Sequence, residues 1–151
     1  MSTLIIVCGL PGAGKTTLAK QLEKSRSALR LSPDEWIVPI LEDVNNIPER
    51  DRLRDPIEAI QWEITKKLLV LGTDVILEWG FWSKEERQRY RLEAEALGAT
   101  VELHYLDIDL DELWQRLSQR NKNLPPSTFA VTRADLDLWA SWFEPPTPNE
   151  F

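Results

Sequence analysis

The chain has 151 residues, 42% of them hydrophobic, one cysteine and a net charge of −7. This length suits a single domain spanning 1–151 with its own core, the lone Cys8 excludes an intramolecular disulfide, and the acidity disfavours a broad duplex-binding surface, because nucleic-acid affinity rests on phosphate neutralisation by Lys and Arg. No apolar run reaches the length of a membrane span and the first strand begins too early for a secretory leader, so no membrane partner and a cytoplasmic location are expected.

Leu4 to Cys8 reads as a buried parallel strand, and Thr17 to Leu22 as the start of a helix. Between them Gly9-Leu10-Pro11-Gly12-Ala13-Gly14-Lys15-Thr16-Thr17 fits G-x-x-x-x-G-K-[ST], a pattern that chance supplies to about one chain in a few hundred of this length. Glycines there let backbone N–H groups close on an anion, and the helix that follows adds the positive end of its dipole. The stretch is therefore a phosphate cradle for a nucleoside triphosphate. Lys15 is placed to reach β- and γ-phosphate oxygens, the Thr16 hydroxyl to join the shell of a Mg²⁺ ion, and Thr17 is read as structural.

A short strand at Ala28 to Leu31 ends at Ser32-Pro33-Asp34-Glu35, a helix start with Ser32 as N-cap, Pro33 at the first position and Glu35 closing a capping box. Asp34 thus lies at the C-terminal end of a strand, where open α/β sheets bind ligands. It is either a residue of the chemistry or a complement to the helix dipole. Trp36, Ile37, Ile40 and Leu41 follow helical spacing, cut short by Pro39. Asn45 to Arg52 reads as a polar loop. Its arginines Arg50 and Arg52, with the following Arg54, either meet an anionic acceptor or stay solvated. Asp55-Pro56-Ile57-Glu58 repeats the start signal, and Ile57, Ile60, Ile64, Leu68 and Leu71 predict the core face of a long helix ending at Gly72.

Asp74 to Glu78 predicts a third strand. Glu78 at its end is read as orienting metal-bound water or an acceptor hydroxyl, or as pairing with a basic neighbour. Trp79-Gly80-Phe81-Trp82 follows, and with Trp36 its tryptophans are candidates for contact with an acceptor or for the core. Ser83 to Glu86 opens a helix to Leu97. Thr100 to Ile108 alternates as a fourth strand with Asp107 at its end, and the mid-strand His104 is read as structural. A helix over about 109–121 places Arg116 and Arg120 four apart, as lid cations or as exposed charges. Thr132 caps a last helix, and the Pro-rich tail 144–151 is expected to be neither helix nor central strand.

Alternating strands and helices require a mainly parallel sheet of four or five strands with helices on both faces, an α/β three-layer sandwich. Gly9 to Thr17, Ser32-Pro33-Asp34, Arg116 to Asn121 and Phe143-Glu144-Pro145-Pro146-Thr147 together resemble the small P-loop kinases, in particular the group labelled predicted kinases or AAA-like ATP-binding proteins, with polynucleotide 5′-kinase domains, chloramphenicol phosphotransferase and gluconate kinase in the wider set. The resemblance implies a P-loop NTPase fold, ATP and Mg²⁺ as cofactors, and phosphotransfer to a hydroxyl. It implies Lys15 and Thr16 at the phosphates and metal, Asp34 as base, and Arg116 and Arg120 as lid cations; the strand-end positions of Asp34 and Glu78 make one or the other a candidate to touch the metal through water. Trp36, Glu78, Trp79 and Trp82 are then the acceptor candidates. Relatives commonly run on into a fifth strand and often end the third strand in Asp rather than Glu78. A small-molecule acceptor is the leading expectation, with a 5′-hydroxyl polynucleotide or a nucleotide-dependent switch as alternatives.

Overall fold

The computed structural model describes residues 1–151. Four parallel strands, β1 (Thr3–Cys8), β2 (Leu29–Leu31), β3 (Val75–Gly80) and β4 (Thr100–Tyr105), lie in the order β2-β3-β1-β4. The central strands β1 and β3 are buried along their whole length, which explains their unbroken apolar runs. The helices are α1 (Lys15–Arg26), α2 (Pro33–Ile37), α3 (Ile47–Val70), α4 (Lys84–Ala96), α5 (Leu110–Lys122) and α6 (Arg133–Trp142). None is long and apolar enough to cross a membrane.

Strand alternation divides the core between the two faces of the sheet. Leu4, Ile6 and Cys8 of β1 join Leu77 and Trp79 of β3 in the larger cluster, which α3 and α4 close with Trp62, Leu69, Tyr90 and Ala94. Ile5, Val7 and Ile76 face the other way, onto Ala19 of α1. A third cluster, Ala13 with Leu113, Leu117, Val131 and Leu136, seats α5 and α6 against the glycine-rich loop.

Several expectations are corrected. The segment 45–52 is not all loop, because α3 begins at Ile47, where Asn46 accepts the amide of Glu49 at 3.2 Å and Pro48 occupies the first turn. The expected start at Asp55 lies inside that helix, and Pro56 simply leaves the Arg52 carbonyl without its partner amide. The buried stripe of α3 is Ile57, Gln61, Trp62, Thr65 and Leu69, while Ile60 and Leu71 face solvent. Two polar residues can occupy that stripe because both are paired: Gln61 donates to the Ser32 carbonyl at 3.1 Å and accepts from Trp79 Nε1 at 2.9 Å, and Thr65 bonds back to Gln61. Ser32 caps α2 without a side-chain bond, since Glu35 turns instead to Arg30 at 2.5 Å. β4 ends at Tyr105, short of Ile108, and the tail closes in a short 3₁₀ turn at Pro148–Glu150.

The ends of β1 and β3 meet in a tight elbow. Gly80 (φ +89°) and Phe81 (φ +51°) turn the chain in the left-handed region, and the Gly9 amide bonds to the Gly80 carbonyl at 3.1 Å. Arg87 of α4, almost wholly buried, donates to the Phe81 carbonyl at 2.7 Å and to Glu150 at 2.7 Å. Arg91 also reaches the Glu150 carbonyl, and the Glu144 amide donates to Trp82 at 2.8 Å. The tail is thus bound to the elbow through buried charge.

Candidate active site

One cleft of about 920 Å³ opens at the C-terminal ends of the strands, large enough for a nucleotide beside a small second compound. The glycine loop forms one wall. Gly12 (φ +85°) and Gly14 (φ +96°) hold conformations that L side chains rarely adopt, and a Cβ at Gly12 would lie 2.9 Å from Leu117 of α5. At Gly14 nothing lies within 4 Å, which leaves the backbone open toward the cleft. Pro11, Gly12 and Gly14 to Thr17 line the space, whereas Leu10 and Ala13 turn into the α5 cluster. Thr17, read as structural, is exposed on this wall.

Lys15 folds back on its own loop, its Nζ donating to the carbonyls of Gly9 and Leu10, each at 3.0 Å. Burial pulls its ammonium down to about 8, against the opposing pull of the Glu78 and Asp34 carboxylates. The Gly9 carbonyl also accepts Trp82 Nε1 at 3.4 Å, so the elbow touches the cradle.

Glu78, almost fully buried on β3, carries two partners at once. The Thr16 hydroxyl donates to its Oε1, and Arg30 of β2 donates to its Oε2 at 2.8 Å. The pairing of Glu78 with a basic neighbour is therefore realised through Arg30, while its other oxygen is taken by the Thr16 hydroxyl. A hydroxyl and a carboxylate facing one another beside a phosphate cradle are hard oxygen donors that fit Mg²⁺, an ion that keeps most of its water and phosphate ligands.

Asp34 stands on the first turn of α2 across from the cradle, half-exposed, with Arg54 of α3 at 3.5 Å. Arg54 is itself fixed by the Trp79 carbonyl at 2.9 Å and by Glu58 at 3.4 Å. From α5, Arg116 reaches the carbonyls of Gly12 and Ala13 at 3.4 and 3.5 Å and pairs with Glu112, while Arg120 donates to the Phe129 carbonyl at 3.3 Å. The Arg120 Nε is buried without an acceptor. Arg50 lies over the Phe129 ring at 4.5 Å, joining the start of α3 to the loop that follows α5 across the mouth of the cleft.

The structure thus brings Lys15, Thr16, Asp34, Glu78, Arg116, Arg120 and Trp82 to one space. Trp36 does not line it and packs against the larger core cluster. The Trp79 ring is also corrected: it is buried, stacked on Phe81 at 5.6 Å, and meets the cleft only as part of the elbow wall. Instead Trp82 pairs with Trp139 of α6 at 5.8 Å, and both line the cleft. Of the three arginines considered together, Arg50 and Arg54 reach the cleft and Arg52 remains exposed with Glu49. Arg30, Glu58 and Glu86 were missed. Only Arg30 had a signal, a charge between two leucines of a strand otherwise apolar.

The family profile described as AAA domain matches residues 4–146. Among solved structures, a protein described as a kinase from Chloroflexus aurantiacus J-10-fl superposes with a TM-score of 0.78 at 22% identity, covering 97% of this chain and 80% of that one. Kti12 of Chaetomium thermophilum, in complex with ADP-AlF3, gives 0.69 at 21% identity, covering 97% and 82%. A chain of the Pnkp1/Rnl/Hen1 RNA repair complex gives 0.71 at 19% identity, covering 93% of this chain and 43% of that one. At these identities the likeness is one of fold. No curated protein matches the sequence.

Proposed function

This chain belongs to the AAA domain family, and from that membership we propose that it is an ATP- and Mg²⁺-dependent phosphotransferase that moves the γ-phosphoryl group to a hydroxyl of a small molecule. The observation that carries this reading is the meeting, in one cleft, of a phosphate cradle with its lysine, a Thr16–Glu78 oxygen pair and a carboxylate on the opposite wall.

In this reading Lys15 leaves the Gly9 and Leu10 carbonyls for the β- and γ-phosphate oxygens. Thr16 and Glu78 would hold Mg²⁺, which would supply neutralisation of the polyphosphate charge. Asp34 accepts the proton of the acceptor hydroxyl as its oxygen bonds to the γ-phosphorus. The bond from that phosphorus to the bridging oxygen breaks, and ADP departs. Arg116 and Arg120 spread positive charge over the transferring group from α5. Arg30 holds Glu78 in place so that its other oxygen faces Thr16.

The test is Asp34→Ala assayed for nucleotide affinity and for transfer to a library of hydroxyl compounds. Nucleotide affinity should stay within about twofold while transfer falls by about 10²–10⁴. Undiminished transfer would remove Asp34 from the mechanism.

A second reading, a 5′-hydroxyl polynucleotide kinase, is favoured by the fold shared with the RNA repair complex chain. Against it stand the burial of the Trp79 ring and the carboxylates of Asp55, Glu58 and Glu86 along the far end of the cleft, which repel a polyanion. Incubation with a labelled 5′-OH oligonucleotide separates the two readings.

A further inference from the structure

In the order β2-β3-β1-β4 the last strand is an edge, paired with β1 alone. The Thr100 amide bonds to the Ser2 carbonyl and the Leu106 amide to the Cys8 carbonyl, each at 3.0 Å, so the even-numbered residues turn their backbone groups toward β1. The alternation of a strand then points the N–H and C=O groups of Val101, Leu103 and Tyr105 outward. No backbone group of a turn, a loop or the tail bonds to them. Exposed edges are usually blunted by shortness, proline, lysine or a bulge. The opposite edge, β2, is only three residues long. By contrast β4 runs Thr100-Val101-Glu102-Leu103-His104-Tyr105 with neither proline nor lysine, in unbroken register with β1.

The strand is complementary to a second copy of itself. An antiparallel pair with its twofold axis on Glu102 sets the two Glu102 carboxylates face to face, and one with its axis on His104 does the same to the imidazoles. In each of these only two pairs of outward residues meet within the strand. With the axis on Leu103 three pairs meet: Leu103 opposes Leu103, Val101 opposes Tyr105 on either side, and Glu102 faces His104 twice. Hydrogen bonding and charge thus select the same register. Glu102 is 40% exposed, and its bonds from Arg26 at 2.9 Å and from its own His104 at 3.3 Å both end on Oε2, which leaves Oε1 for another donor. On the other face Val101, Leu103 and Tyr105 are only partly buried against the larger core cluster, so the same pairing extends that core.

We propose that β4 is the interface of a symmetric dimer: two copies of this chain join their edges antiparallel about Leu103 into one continuous sheet, with Glu102 of each copy facing His104 of the other. The interface is isologous, because one surface serves both copies. Since the paired strands run in opposite directions, the two clefts, which lie at the C-terminal strand ends, open away from each other. Each site is complete without its neighbour, and the pairing does not depend on the phosphotransferase reading.

The experiment is sedimentation of the full chain from about 1 to 500 µM, with amide hydrogen exchange followed at both ends of that range. A monomer–dimer equilibrium is expected, in which the amides of Val101, Leu103 and Tyr105 exchange freely in dilute protein and become protected as the dimer fills. Leu103→Pro removes the donor on the axis while sparing the ladder to β1, and should abolish the dimer. His104→Glu sets carboxylates opposite one another on both sides of the axis and should weaken association by at least about tenfold. The double swap, Glu102→His with His104→Glu, should restore it to within about threefold, which a dimer through any other face would not show. Parent-like melting curves identify the variants that fold, and the exchange measurement on the parent chain needs no variant. A monomer at every concentration overturns the proposal. So does a dimer in which the three amides stay unprotected, or one that the double swap fails to restore.

Discussion

Lys15 shows at the scale of one residue how this site is poised. Its ammonium is held at about 8 by burial against two backbone carbonyls. Because the folded value lies below that of the unfolded chain, the unfolded state binds more protons between about pH 8 and 10.5, and stability rises with pH across that window. A bound polyphosphate reverses the shift. Nucleotide binding at pH 8.5–9 should therefore take up most of one proton, seen as a dependence of the calorimetric enthalpy on the ionisation enthalpy of the buffer. A heat independent of buffer would show that Lys15 enters the complex already charged. Glu58 has the opposite sign: its folded value lies above its unfolded one, so stability falls as pH rises through about 7. Glu58→Gln should stabilise the protein at pH 8 by on the order of 1 kcal/mol, and not at pH 4. Lys15, Thr16 and Asp34 were legible because each sits at a fixed offset from a strand end. The partners of Arg30 and Gln61 were not, since they lie 48 and 18 residues away, Glu78 for one and Trp79 for the other.

Among the elements, α3 shows where pattern reading is undetermined. Two start signals stand nine residues apart, Asn46 with Pro48 and Glu49, and Asp55 with Pro56 and Glu58, and either could cap a helix. The first wins because the extra turns carry Arg50 and Arg54 to the cleft and Arg54 is held by the Trp79 carbonyl. The same contest misplaced the buried face, since hydrophobicity favours Ile60 and Leu71 while hydrogen bonding makes Gln61 and Thr65 the inward pair. Asn46→Ala should cost about 0.5–2 kcal/mol in a denaturant titration, the usual loss of a cap. The cradle and α5 form a second unit. In Gly12→Ala the new methyl would sit at φ +85° and 2.9 Å from Leu117. A stability loss of about 1–3 kcal/mol is expected, together with weaker nucleotide binding as α5 shifts and takes Arg116 with it. Normal affinity in a correctly folded variant would show that loop and lid move independently.

Over the whole molecule, the alternation of strands and helices made a parallel sheet legible, and the order β2-β3-β1-β4 puts the glycine loop at its centre. The tail was another matter, because nothing in a run of prolines announces that Glu150 will enter the fold to meet Arg87. That pair is 3% and 12% exposed. Glu150→Ala strands a buried guanidinium, and a loss of about 3–5 kcal/mol is expected in equilibrium unfolding. Arg87→Met combined with Glu150→Ala should recover part of it, and a single variant as stable as the parent would show the pair to be dispensable.

The same latch sets an order of events during synthesis. β1 is the first strand made, yet its neighbours arrive only with β3 and β4, and the elbow that touches its glycine loop is fastened by a side chain 63 residues beyond Arg87. Until Glu150 leaves the ribosome, Arg87 lacks the counter-ion that fixes it beneath the Phe81 carbonyl. The wall beside the nucleotide cradle is therefore fastened only after β3, β4 and α5 have been made.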